Sequence, residues 1–275
     1  MSNGEDQTLW LAALAARGAQ APLRERVPLL WGEHVIGSVE PDYFDQTQLQ
    51  GAWNLLELLR KEEYLGSAAW RLQGEATTSL AQLAQALRRA RVGRVAQQWR
   101  NEQLAVCDQQ GRVLATVERA IVRALGIATR AVHLVGRSPT GRIWVQQRAL
   151  DKPNDPGQWD TLMGGMVMAS DTVQTALARE TLEEAGLALD TLEQLRWRGH
   201  LCVQKPASQE ADAGYVVEQI DWYDCIVPDT ALPVNQDGEV AQFLLLGRTE
   251  LIERLQRDEF TIEAALILVA ALDLS

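Results

Sequence analysis

The sequence predicts an α/β chain, a mixed sheet with helices packed on its faces, preceded by a smaller α+β region. Three observations predict it. Beyond Ile127, short runs rich in β-branched and aromatic residues recur at 131–135, 142–148, 159–163, 197–203 and 216–227, separated by turn residues. A sharply bounded helical stretch at 171–185 and an apolar one at 264–272 interrupt them, and strands interleaved with helices build layered sheets. At 275 residues the chain exceeds the usual size of one domain, roughly 100–200 residues.

Residues 8–17 carry Leu and Ala at helical spacing, and Pro22 and Pro28 forbid continuation, so a short opening helix is expected. Apolar clusters flank Gly32-Glu33 within 27–39, which is a hairpin pattern. Residues 55–64 and 79–91 read as helices. A second hairpin is expected from 99–106 and 113–116 about the turn at 108–111, followed by a helix at 121–125 that stops at Gly126. The change of texture after it sets the expected division: an accessory α+β domain over 1–127 and the sheet-and-helix domain over 128–275. In the latter, Ser138-Pro139-Thr140-Gly141 turns the first strand into the second, and the third leads into Gly164-Gly165.

Hydrophobic residues form 47% of the chain and charged ones 23%, the balance of a chain that buries a core. A net charge of −11 and a pI near 4.9 oppose nucleic-acid backbones and anionic membranes as partners. A small anionic substrate then needs positive charge supplied locally, by a few Arg and Lys or by a metal. Cys107, Cys202 and Cys225 form no C-x-x-C pair and read as buried free thiols. Glu5 and Asp6 stand where a secretory signal would be basic, so a cytoplasmic location is expected. The apolar stretch 264–272 has nine residues against the ~20 of a membrane span.

The chemistry concentrates in GMVMASDTVQTALARETLEEAGL, residues 165–187. Asp171 with Gln174 resembles a capping box and Gly186 is the expected left-handed stop. Glu180, Glu183 and Glu184 fall at i, i+3 and i+4, so a turn of ~100° per residue gathers three carboxylates on one face. Each like-charge pair at that spacing costs ~0.2–0.5 kcal/mol, and acids in the last turns also oppose the helix dipole. A solvated acidic face is the plain explanation. A nearby glycine turn favours another, because the backbone at Gly165 can approach the carboxylates and offer carbonyl oxygen to a hard cation. Oxygen donors without His or Cys suit Mg²⁺ or Mn²⁺.

This segment resembles the Nudix box, G-x5-E-x7-R-E-U-x-E-E-x-G-U with U aliphatic. Gly165, Arg179, Glu180, Glu183, Glu184, Gly186 and Leu187 stand in register, while Asp171 replaces the first Glu and Thr181 the first aliphatic residue. The resemblance implies a Nudix α/β/α sandwich over roughly 129–275, with Mg²⁺ held by Glu180 and Glu184 together with Glu183. It further implies a water activated by a carboxylate, Glu183 and Glu184 being the candidates, to attack a phosphoanhydride. In the family the first Glu pairs with the Arg, here Arg179, to hold the loop and helix together. The shorter Asp171 therefore bears on that pairing, and the Thr181 hydroxyl needs a backbone acceptor. Glu239, in NQDGEV, resembles a later acidic position of many Nudix proteins and is a candidate base or extra ligand; an ordinary turn carboxylate is the competing reading.

WRNEQLAV from Trp99, VHLVG from Val132 and RALDKPNDPGQWDTLMGGM from Arg148 resemble the Nudix branch associated with thiamine pyrophosphokinase. That resemblance implies thiamine diphosphate or its oxidised derivatives as the leading substrate class, with an ADP-ribose or NADH type of substrate as the alternative. Arg148 and Lys152 are candidates to grip phosphates, and Trp159 and Trp222 to stack on a heteroaromatic ring, against surface-charge and core readings respectively. His133 reads as a packed core histidine. A ligand-sensing module without turnover is the alternative from another class, disfavoured by the intact glutamates. The expected partner is a small diphosphate, a homodimer is compatible with the sequence, and the N-terminal region is expected to shape or cover the pocket.

Overall fold

The computed structural model of the chain describes residues 3–49, 55–93, 95–208 and 214–274. Helix α1 (Asn3–Arg17) precedes an antiparallel hairpin of β1 (Val27–Trp31) and β2 (His34–Val39), turned at Gly32 with a positive φ of 54° that suits a residue lacking Cβ. Next come α2 (Tyr43–Leu49), α3 (Leu55–Leu58), β3 (Leu59–Tyr64) and β4 (Ser67–Leu72), and the four strands order as β2-β1-β4-β3 with β1 and β4 parallel. Helix α4 (Ala76–Arg89) is capped by the Glu75 carboxylate and buries Leu80, Leu83 and Leu87. A separate hairpin, β5 (Gln103–Cys107) with β6 (Val113–Glu118), completes a core running from Val27 to Ile127.

The helix expected over 55–64 is therefore only α3. From Leu59 the chain is an edge strand whose charged residues Arg60 to Glu63 face solvent or pair with β4. Pairing overrides the helical preference of LRKEE, and charge on an edge discourages further pairing. The helix expected at 121–125 is a 3₁₀ turn at Arg119–Ile121 followed by tight turns, with Gly126 at φ 52° as the stop. All three cysteines are free, but Cys225 alone is buried while Cys202 is exposed, because Cys202 lies on an outer strand.

The second sheet holds seven strands: β7 (Thr129–Arg137), β8 (Ile143–Arg148), β9 (Trp159–Asp160), β10 (Met163–Met166), β11 (Glu193–Pro206), β12 (Tyr215–Ile226) and β13 (Val240–Leu246). Its main path is β11-β12-β7-β8-β13, mixed because β12 runs parallel to β7 and the other pairs are antiparallel. Alternation along β7 sends Val132 and Leu134 to one face and Ala131 and Val135 to the other. Helix α5 (Val173–Ala185) covers the first face; α6 (Arg248–Gln256) and α7 (Ile262–Ala271) cover the second. The result is a three-layer α/β/α sandwich.

Two features position the site. Strands β7 and β8 pair directly only at Gly136–Trp144 and Arg137–Ile143, beside their turn. Farther along they part, β10 pairing with β7 and β9 with β8, so the expected strand at 159–163 is two short ones. Meanwhile α1 does not follow the expected division at 127: Leu14 lies in the core beneath α6 and α7, and Gln20 and Gln204 bond through their backbones at 2.8 Å. Among the described residues, no helix is long and apolar enough to cross a membrane.

Candidate active site

The cap of helix α5 falls one residue later than expected. Thr172 is the cap, its hydroxyl accepting from the Thr175 N–H while the Thr175 hydroxyl accepts from the Thr172 N–H. Asp171 is unavailable for capping because Arg179 binds it with two donors, Nη2 at 2.8 Å and Nε at 3.2 Å. The shorter acid thus still makes the pairing. Gly186 closes the helix with φ 66°, and the buried Thr181 hydroxyl donates to the Leu177 carbonyl at 2.6 Å.

The three glutamates share a helix face but not an environment. Glu184 is 4% exposed and accepts at Oε2 from Gln146 Nε2 at 2.8 Å and the Gly164 N–H at 3.2 Å. Burial pushes its carboxyl up to about 8, with the charges of Glu180 and Asp160 adding to the effect against the Gln146 and Gly164 bonds. Burial also raises Glu180, against the pull of Arg179 at 2.8 Å. Glu183 has its side chain half exposed and 3.1 Å from Arg179. Arg179 reaches Asp171, Glu180, Glu183 and the Met166 carbonyl; burial opposes its charge, but these acids hold it firmly protonated.

Strand β10 brings backbone against these groups only because it is glycine. A Cβ on Gly165 would overlap the Glu180 carboxyl, and one on Gly164 would overlap the His133 ring. Beside them, where β7 and β8 part, lies a cavity of about 470 Å³ lined by Gly164, Gly165, Glu180, Glu184, Asp160, Arg148, Lys152 and Glu239. Arg148 donates to the Asn154 carbonyl at 3.1 Å and lies 3.6 Å from Asp160. Lys152 pairs with Glu239, which also takes Arg100 at 3.0 Å. Burial would raise Glu239, yet these two cations bring its carboxyl down to about 2.

The structure thus gathers Gly165, Glu180, Glu184, Arg148, Lys152 and Glu239 on one cavity, and Glu183 is not among the residues that line it. Trp159 lies elsewhere, 6% exposed in the core under α7 with the Arg254 guanidinium 5.4 Å over its ring, so the stacking role expected of it has no open face. Trp222 is packed in the same core. His133 is buried as expected, bonded through Nδ1 to Thr161 Oγ1 at 3.0 Å, and also borders the cavity.

Sequence reasoning missed Gln146, Asp160, Arg119, Arg123, Glu218 and Glu263, of which all but Gln146 line the cavity. Gln146 and Arg148 are two apart on β8 and so share a face, a signal available beforehand. Glu218 is a lone acid in the apolar run YVVEQI, which marks a buried carboxyl.

Among the described residues no three carboxylate, imidazole or thiolate groups converge closely enough to hold an ion by themselves. The donors fit an ion that brings water and phosphate with it. The Glu180 charge raises the proton affinity of the buried Glu184, and Gln146 Oε1 is buried without a hydrogen-bond partner among the described residues. A cation relieves that strain, and the oxygen-only set suits Mg²⁺ or Mn²⁺.

Comparison with known proteins adds an independent line. The NUDIX domain model matches residues 128–266. An uncharacterised protein of Saccharomyces cerevisiae is 29% identical over 187 residues, 62% of this chain and 54% of its own. An uncharacterised Nudix hydrolase of Pseudomonas aeruginosa is 37% identical over 86 residues, 31% of this chain and 51% of its own. The chain spans about half the length of these curated relatives. Among solved structures, a crystal structure from Deinococcus radiodurans aligns with a TM-score of 0.46 at 20% identity, over 58% of this chain and 92% of its own.

Proposed function

The chain belongs to the Nudix family, and we propose that it hydrolyses the diphosphate bond of a small molecule with the help of a divalent cation, thiamine diphosphate or its oxidised derivatives being the leading substrate class. One observation carries this reading: a single cavity sets two carboxylates, the part-buried Glu180 and the buried Glu184, beside the cationic side chains of Arg148 and Lys152. Glu180 and Glu184, with backbone oxygen at Gly165, would hold Mg²⁺ or Mn²⁺. When bound, such an ion neutralises diphosphate charge and makes a coordinated water more acidic.

The chain's own groups do the rest. Arg148 and Lys152 bind phosphate oxygens through charged N–H donors. Arg179 fixes the Glu180 carboxylate, and Gln146 with the Gly164 N–H orients Glu184. The half-exposed Glu183 and the buried Glu184 are the candidate proton acceptors. In this reading 128–275 is the hydrolase domain and 1–127 the accessory one, contributing Arg100, Arg119 and Arg123 to the pocket region.

The test is turnover by the purified chain with Mg²⁺ on thiamine diphosphate, its oxidised derivatives, ADP-ribose, NADH and coenzyme A. Monophosphate products from wild type, absent with Glu184→Gln, support the reading. Tight binding of a panel member without any product would make the chain a sensing module instead.

A further inference from the structure

The cavity contains a second group of ionisable side chains that hydrolysis leaves unused. Glu218, the fourth residue of β12, is 9% exposed and borders the cavity. Among the described residues its carboxyl accepts one hydrogen bond, a long one, from Thr129 Oγ1 to Oε1 at 3.3 Å. Glu263, in the first turn of α7, pairs with Lys205 of β11 at 2.9 Å. Arg123 and His133 complete the cluster, acting on Glu218 across a longer range. Among the described residues no cation lies within 4.0 Å of the Glu218 carboxyl.

A carboxyl at a buried strand position is costly unless paired, and an apolar residue there would serve stability better. Lys205 satisfies Glu263, which it holds below the usual carboxylate range although burial opposes it. Burial and the Glu263 charge push Glu218 the other way. The cluster therefore has one more acid than its close ion pairing accounts for, and the surplus acid lines the same cavity as Arg148 and Lys152.

We infer that Glu218 is a specificity residue that serves as counter-ion to a positively charged nitrogen heterocycle on the substrate. This rests on the diphosphate reading of the same cavity. A ligand with anionic phosphates and a cationic ring then matches the site at both ends, phosphates against Arg148 and Lys152 and ring against Glu218. A neutral ring of equal shape leaves Glu218 without a partner.

Calorimetric binding of the full chain tests this without requiring turnover. The probes are thiamine monophosphate and oxidised nicotinamide mononucleotide, both with cationic rings, and reduced nicotinamide mononucleotide, whose ring is neutral. Wild type should favour the oxidised over the reduced nucleotide by at least about tenfold, the size of effect expected for one desolvated charge pair. Glu218→Gln should abolish the preference, weakening both cationic ligands and sparing the neutral one, whereas Glu218→Asp should retain part of it. Equal affinity of wild type for the oxidised and reduced forms overturns the inference whatever the variants do, as does an unchanged preference in a folded Glu218→Gln. A charge preference lost in Glu218→Gln, in a chain that hydrolyses no diphosphate, sustains the inference while removing the hydrolase reading.

Discussion

Arg100, just before β5, donates from Nη1 to Oε1 of Glu239 on the turn before β13, 3.0 Å away, and so joins the first core to the cavity wall. Lys152 holds the other oxygen. An acid brought down to about 2 is ionised at neutral pH but is a weak proton acceptor. Glu239→Gln should therefore leave both limbs of the pH–rate profile in place between about pH 5 and 9, and change KM through the freed Lys152. Loss of one limb in steady-state kinetics would make Glu239 the base after all.

Glu184 gives the metal-free chain an unusual stability profile. Its folded form keeps the proton up to about 8, whereas an ordinary glutamate releases it near 4.5. Ionising it costs folded-state stability as pH rises between those values and costs nothing below them, the reverse of a salt-bridged carboxylate. With chelator present, unfolding free energy should decline toward pH 8 with a slope of up to about 1.4 kcal/mol per pH unit from this group. Glu184→Gln should flatten the profile in urea titrations, and Mg²⁺ should restore stability most at the alkaline end. A wild-type slope equal to that of the variant would show that Glu184 titrates normally.

Gly165→Ala is expected to separate folding from ion binding. The added methyl group collides with the Glu180 carboxyl rather than with backbone, so the side chain turns away and the fold survives. Mn²⁺ affinity, read by electron paramagnetic resonance, should weaken by about tenfold or more, on the order of the 1.4 kcal/mol that one displaced donor represents. Unaltered Mn²⁺ binding would place the ion away from β10.

Arg179→Lys keeps the charge and loses the fork. A lysine cannot reach Asp171, Glu180, Glu183 and the Met166 carbonyl together, so stability should drop by about 1–3 kcal/mol and turnover should fall with it. Chemical denaturation and kcat on the same preparation check both. A fully active, equally stable Arg179→Lys would reduce the arginine to a surface charge.

Much of the site was legible because its spacing is local. The 165–187 segment places its glutamates, arginine and glycines by helix geometry alone, and α5 and Gly186 are where periodicity and capping put them. The cap slipped by one residue because Asp171 could not both cap and bind Arg179. Glu183 could not be told from Glu184 by spacing, since only the position of β8 and Gln146 decides which of the two is buried. Asp160, Arg123, Glu218 and Glu263 reach the cavity from separate strands, turns and helices, a convergence that only tertiary packing creates. The same limit explains β3, where five helix-compatible residues became a strand through pairing with β4.

Leu14 of α1 sits in the core beneath α6 and α7, while the strands that follow α1 build the other core. A cut at residue 127 would therefore strip apolar cover from the very half meant to be isolated. The two halves should in consequence melt as one calorimetric unit, and an engineer seeking a minimal catalyst must graft a substitute for α1 rather than merely trim the chain.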